Sequence, residues 1–472
     1  MNLSKSPALV SRPAARLGNG ALTAGIVAAA ALVFWPEPAA AQEAGSETAF
    51  ILNTFSFLVW GALVMWMCAG FTMLESGSVR SKNASVICLK NIGLYAIAGL
   101  TFYIVGYGLM YTDVAGGFIG KLNFFYGSSA DELALLGGDA GATSAVVDNG
   151  YSVTSDWFFQ MVFVATTASI VSGALAERVN LWAFFAFTAV LTGIIYPVVG
   201  AWTWGSGWLG EMGFTDFAGS TIVHSTGGWA ALAGAIVVGP RWGKFRRDGT
   251  VKLTPPSNIP AVTLGVFILW LGWFGFNAGS QLALGSAADA VGMSNVIVNT
   301  NLAAAAGVVT AIFVSKPILG RTDLFAGLNG AIAGLVAITA GPNLDDGRWA
   351  IVIGAVGALL CTMGLRFLEQ RRIDDVVGAV PAHLFAGVWG TLAASIAAGA
   401  DFLTQLIGVV SIGAFVFTVS WALWTILDKT IGVRVSREVE EMGQDAAELG
   451  IDAYPEFVLM VDQDDQPDYR EA

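Results

Sequence analysis

His224 and His383 are the only histidines in a chain of 472 residues. Each follows an aspartate by eight residues, Asp216 and Asp375, and precedes a glycine by four, Gly228 and Gly387. Both stand inside long apolar stretches. A neutral imidazole offers one donor and one acceptor nitrogen, so it can hand a polar guest along or take up and release a proton near neutral pH. In an apolar setting that polarity is costly unless the ring faces a cavity or a polar partner. The related spacings favour a functional pair; the alternative is two separate histidines, each hydrogen-bonded to a helix backbone. A transition metal wants more ligands than two, and no third histidine, cysteine or carboxylate stands at the same depth.

Other side chains could act with them. Asp216 opens one apolar stretch and Trp204 closes the one before it, so the two fall at one boundary. A helix N-cap explains the first and an interfacial anchor the second. A tryptophan face beside a carboxylate would also attract a small cation. Phe159 and Phe163 are one helical turn apart, and Phe276 lies in WFGFNAGS, which ends at Ser280. An aromatic stripe at helical spacing is ordinarily packing, and Ser280 can bond its own helix backbone. Glu75, Lys90, Glu177 and Arg178 lie near the ends of apolar stretches, where snorkelling and mutual pairing give them structural roles. Cys68, Cys88 and Cys361 are far apart and read as packing residues. No nucleophile and base pair or metal cluster suggests an enzyme, and no cofactor is implied.

The elements that hold these residues must lie in lipid. Hydrophobic residues make up 55% of the chain, charged ones 12%, and the mean hydropathy is +0.66, whereas soluble domains carry about 25% charged residues. Apolar segments long enough to cross fall near 49–74, 87–111, 157–176, 181–203, 217–239, 259–282, 294–315, 322–341, 348–367, 379–399 and 403–427. The fold class is therefore an all-α polytopic membrane protein with eleven transmembrane helices. The net charge of −12 gathers in the segment 127–156 and in the tail after 437, so nucleic acid is not a partner.

Lys and Arg alternate between two sets of connections. One set holds Arg80, Lys82, Arg178, Arg241, Lys244, Arg246, Arg247, Lys252, Lys316, Arg321, Arg366, Arg371 and Arg372; the other holds only Lys121 and Arg348. The rule that basic loops stay inside puts the mature N-terminus outside and the tail from about residue 429 in the cytoplasm of a multi-pass protein of the cell inner (plasma) membrane. Residues 1–41 have a basic start, a short apolar run and Ala39-Ala40-Ala41, which reads as a signal peptide cleaved after Ala41. Residues 48–428 then form the membrane domain and 429–472 a tail. Spans one to five and six to ten read as an inverted repeat with the eleventh helix added. Eight residues of helix rise about 12 Å, so histidines reached from opposite faces both fall near the middle of a core about 30 Å thick. They are close enough in depth to touch.

Five segments in order on these spans, SGALAERVNLWAFF, TDFAGSTIVHSTGG, GWFGFNAGS, IDDVVGAVPAHLFAGVWGTL and GVRVSREVEEMGQDAAELGIDAY, resemble those of bacterial ammonium transporters of the Amt/Mep/Rh superfamily, from about residue 48 to 454. The resemblance implies an outer recruitment site for ammonium at Trp204, Ser280 and Phe163 with Asp216 nearby, a phenyl gate of Phe163 and Phe276, and a lumen lined by His224 and His383. It also implies passage of ammonia, with methylammonium as a further substrate, a homotrimer among membrane lipids, and a PII-type signalling protein at the cytoplasmic face. Two departures stand out: before the second histidine, Gly378 stands where many members have an aspartate and Pro381 two residues before His383, and the tail runs past the family pattern into the acidic end PEFVLMVDQDDQPDYREA. An ammonium sensor with little flux is the alternative from another class, and a fused signalling domain would favour it. A Rh-like gas channel is the nearer one, and there an outer site poor in aromatic residues would be expected.

Overall fold

A computed structural model describes residues 38–458, with side chains from Gly45 to Glu456. The segment read as a signal peptide lies almost wholly outside them, as does most of the acidic end of the tail. Among the described residues the chain is helical, with only two isolated bridges, Val179 to Arg434 and Phe245 to Val251, and the described residues from Ala49 onward belong to one compact unit.

Among the described residues ten helices are long and apolar enough to cross a membrane: α1 Gly45–Ser78, α2 Ser81–Tyr111, α3 Val153–Ala174, α4 Leu181–Glu211, α5 Ser220–Val238, α6 Ile259–Gly279, α7 Ala287–Leu319, α9 Gly347–Gln370, α10 Val380–Ala397 and α11 Phe402–Thr430. The remaining expected span is α8, Leu324–Ile338, an apolar helix of 15 residues. It still runs from one face to the other. Asp323 and Phe325 at its start line the same vestibule as Arg366 and Asp374, while Thr339 and Ala340 at its end accept hydrogen bonds from Ala218 and Phe217, ahead of α5.

Burial runs the way a lipid solvent requires. Ile92, Trp182 and Phe313 are 70%, 74% and 76% exposed, while Thr166, Thr167, Ser169, Ser172 and Thr192 are almost fully buried. Most of those buried hydroxyls donate to carbonyls one turn back in their own helix, as Thr166 does to Val162 and Ser169 to Ala165, so helices can pack without orphaned polar atoms. Small residues set the closest approaches: Gly307, Gly330, Gly334 and Gly354 bring α7, α8 and α9 together backbone against backbone.

The basic connections do share one face. Arg80, Glu177, Arg241 and Asp374, from four different connections, form one ion-pair network in which all but Arg80 are buried, and the tail docks beside it. Asn180 donates to Val433 O, and Val435 donates to Arg178 O. Lys82 reaches the Glu440 and Glu441 carbonyls. Asp445 accepts from the amides of Ser85 and Val86 at 2.8 and 2.7 Å, capping the start of α2.

Candidate functional site

α5 and α10 bring the histidines together because each begins the same way. The Asp216 carboxylate accepts from the amides of Gly219, Ser220, Thr221 and Ile222 at 2.8–3.1 Å, and Asp375 does the same for Gly378, Ala379 and Val380 at 2.7–3.1 Å. These are the orphan amides that any helix start leaves. Gly219 and Gly378 close the two caps with φ of 108° and 80°, a region open to glycine at little cost. Gly378 thus stands where an aspartate would be strained.

Both helices then make a π-turn, Ser220–Ser225 and Val380–Phe385, and each contains its histidine. A π-turn widens the helix and re-aims the side chains on it. The Pro381 ring, which donates no backbone hydrogen bond, sits in the first turn of the second, where none is needed. The helices cross at the glycines the spacing picked out: a Cβ on Gly228 would meet Leu384 at 2.7 Å, and one on Gly387 would crowd Ser225 and Ser220. The hydroxyls of Thr221 and Thr391 bond across the crossing at 2.6 Å.

The outcome is a direct contact, His224 Nδ1 to His383 Nδ1, at 3.3 Å. Both rings are buried. If one Nδ1 donates to the other, the pair is left with one Nε2 acceptor and one Nε2–H donor. His224 Nε2 has no partner among protein atoms. Trp273 stacks on the His224 ring, centroids 4.8 Å apart, and is fixed by its own bond to Thr339 Oγ1 at 2.8 Å. Trp273 was absent from the sequence-based candidates, although it precedes Phe276 by one turn on the same helix.

Above the pair, Phe276 lies 5.1 Å from the His224 ring and 4.0 Å from Phe163, centroid to centroid. Trp204 meets Phe163 edge to face at 6.2 Å. Trp204 is half-buried, and its indole N–H donates to the Asp216 carbonyl at 3.0 Å. Ser280 is half-buried one turn beyond Phe276, its hydroxyl turned back to the Phe276 carbonyl at 2.8 Å. Trp204, Phe163, Phe276, His224 and His383 therefore form one line of touching rings. Asp216 joins it through its backbone, since its carboxylate is occupied by the helix start.

On the far side of the pair, Phe71 sits beside His383 at 6.4 Å. A narrow cavity of about 10 Å³, close to the least that holds one water, is lined by His383, Phe71, Glu75, Asn329 and Val377. Asn329 and Val377 also line a vestibule of about 800 Å³ on the tail-bearing face, with Lys244, Arg366, Arg372, Asp374 and Asp375. Burial would raise the carboxyl of Glu177, which Arg241 joins to Asp374, but the Arg241 and Arg80 guanidiniums outweigh it and hold the group at about 2. Asp374 is likewise held well below the carboxylate range by Arg241 and Arg178, against its burial. Among the described residues no group of three metal-ligating side chains occurs.

Comparison with known proteins agrees along nearly the whole chain. The profile of the Ammonium Transporter Family matches residues 55–454. The chain is 40% identical over 433 residues to the ammonium transporter Amt2 of Archaeoglobus fulgidus, covering 85% of this chain and 88% of that protein. Among solved structures, one described as a Sensor Amt Protein superposes with a TM-score of 0.76 at 37% identity, covering 85% of this chain and 98% of that one. Mep2 of Candida albicans superposes with a TM-score of 0.72 at 26% identity, covering 91% and 94%.

Proposed function

The chain belongs to the ammonium transporter family, and from that premise we propose that it captures ammonium at its aromatic outer end and conducts ammonia past the histidine pair. Trp204, Phe163 and Ser280 form the recruitment site, with the Asp216 cap holding Trp204 in place. The cation rests on ring faces. The close, tilted ring pair Phe163 and Phe276 is the gate. Moving a bare ion past it into an apolar lumen costs tens of kcal/mol by idealised Born estimates, so ammonium sheds its proton there and neutral ammonia goes on. Potassium has no proton to lose and is rejected by its dehydration cost.

The observation that carries this reading is the Nδ1 to Nδ1 contact of His224 and His383 at 3.3 Å. It leaves an acceptor and a donor for a guest that is both, and the proton shed by ammonium follows along the same imidazoles. The tail-bearing face, rich in Lys and Arg, is cytoplasmic, and the recruitment site faces outward. The signal peptide 1–41, an inner-membrane location, a homotrimer with one pathway per subunit and a PII-type partner on the docked tail complete the proposal.

Solid-supported-membrane recording from proteoliposomes tests it: an ammonium step evokes a current, and an equal potassium step does not. Equal responses to the two ions would sink the reading. The similarity to a Sensor Amt Protein supports a second reading, a receptor with little flux; binding of ammonium without current or ammonia entry would decide for it.

A further inference from the structure

Glu75 and Lys90 are the ionisable pair that conduction as described leaves unused. Both are buried, at 0% and 2% exposure. Glu75 lies on α1 one turn beyond Phe71, the residue beside His383, which places it about 6 Å further along the helix toward the vestibule. Its Oε2 accepts from Ser172 Oγ at 2.6 Å and lies 3.9 Å from Lys90 Nζ, and Lys90 donates to the Ser172 carbonyl at 2.8 Å. Its Oε1 has no partner at hydrogen-bonding distance, with the Asn91 amide beside the carboxyl. The carboxyl and His383 line one cavity, and Asn329 and Val377 in its wall also line the vestibule.

A buried carboxylate is ordinarily satisfied on both oxygens. One kept free, in a cavity shared with an imidazole and backed by a fixed ammonium, has the layout of a proton acceptor. We propose that Glu75 is the exit base of the pathway: it takes the proton from the histidine pair and passes it to water in the vestibule. The inference rests on the reading above that a proton reaches the imidazoles. In the step the N–H bond at His383 breaks, across one intervening water, and an O–H bond forms on Glu75. The imidazolium becomes neutral as the carboxylate does, so the charge of the cavity is unchanged, with Lys90 still cationic. Release to the vestibule restores the Glu75 carboxylate beside Lys90. Ammonia needs no such base and passes without it.

The test is the ratio of ammonium-evoked current to total uptake, the latter read as ammonia plus ammonium recovered from the same proteoliposomes after rapid filtration, since a proton that follows its ammonia cancels any internal alkalinisation. Because it is a ratio, a variant of low abundance still reports. E75Q keeps a side-chain acceptor for Ser172 and cannot carry the proton; the ratio falls about tenfold or more. E75D keeps the acid one methylene further away and lies between E75Q and wild type. An unchanged ratio in E75Q overturns the inference, as does E75D behaving like E75Q, or loss of current and entry together in folded E75Q. If E75Q yields no folded protein, a wild-type ratio in E75D overturns it. Wild type with ammonia entry and no current overturns it, together with proton passage along the imidazoles, while ammonia conduction past the pair stands; wild type with neither overturns both.

Discussion

His224 and His383 meet Nδ1 to Nδ1 at 3.3 Å, where two helices that start alike cross at Gly228 and Gly387. The contact fixes the tautomer of each ring relative to the other, so removing one leaves its partner's Nδ1 buried and unpaired, at a cost of about 1–3 kcal/mol. Replacing both by leucine avoids that cost and takes away every guest-facing nitrogen. The double variant is expected to fold and to lose ammonium current about tenfold or more, measured on solid-supported membranes. Unchanged selectivity for ammonium over potassium would remove the histidines from the lumen.

Phe163 and Phe276, 4.0 Å apart, form the narrowest aromatic contact of the line. F276A opens it to water and ions, and it also strips one face from the His224 ring. The expected result is a potassium-evoked current absent from wild type. The loss of a buried phenyl costs about 3–5 kcal/mol of stability, so the protein is recorded after its monodispersity has been checked.

The Asp216 carboxylate holds four amides and its carbonyl holds Trp204. D216N keeps one oxygen of the two and is expected to retain part of the cap. D216A strands the whole helix start, costing about 2 kcal/mol or more. Thermal unfolding in detergent should order the variants as wild type, D216N, D216A. D375A is the matched control: the same cap is lost on the vestibule side, away from Trp204. Loss of ammonium affinity confined to the Asp216 variants separates its effect on recruitment from its effect on folding.

Much of this arrangement was legible beforehand because lipid makes polarity conspicuous. Two histidines in apolar stretches, each eight residues after an aspartate, pointed to a shared depth, while the crossing at Gly228 and Gly387 is seen only in the fold. What the spacing could not give was the use of each aspartate. Asp216 read as a cap and as part of a cation site, and the carboxylate proves to be wholly taken by backbone amides. The Ser280 hydroxyl donates to Phe276 O, as its helix-backbone reading expected, which leaves its oxygen as an acceptor for a guest. Trp273 escaped notice because a tryptophan in a span is ordinarily an anchor or packing residue; only its stacking on His224 sets it apart. α8 departs from its expected length because its start and end are continued by irregular segments that packing supports, and a hydropathy window counts those residues as span.

Glu177 bridges Arg80 and Arg241 with its carboxyl held at about 2. A depressed carboxyl gives stability that is complete above its unfolded value, about 4.5, and drains away as pH falls toward the folded value. The stability should therefore decline between about pH 4.5 and pH 2, by about 3 kcal/mol in order of magnitude for this group. Thermal unfolding followed in detergent over that range checks it. E177Q should be less stable at neutral pH and lose less on acidification. An equal acid response in the two would assign the transition to other carboxyls.

Asp445 reaches back across the chain to cap α2 at Ser85 and Val86, and Gln444 next to it holds the Asn83 side chain and the Val179 carbonyl. These bonds join the tail to the connections that frame the vestibule. The remaining tail contacts include Arg434 to Glu440 at 2.7 Å, with Glu440 also accepting from the Trp242 amide at 2.6 Å. An N-cap lost to alanine costs about 1 kcal/mol, enough to loosen a segment held by few bonds without unfolding the bundle. D445A is thus expected to become sensitive to limited proteolysis after Met442 while the membrane helices stay protected. E440Q, which weakens the other anchor, should do the same, and the double variant should do so more strongly. Cleavage no faster than in wild type would mean that the tail is held chiefly by its backbone bonds at Val433 and Val435.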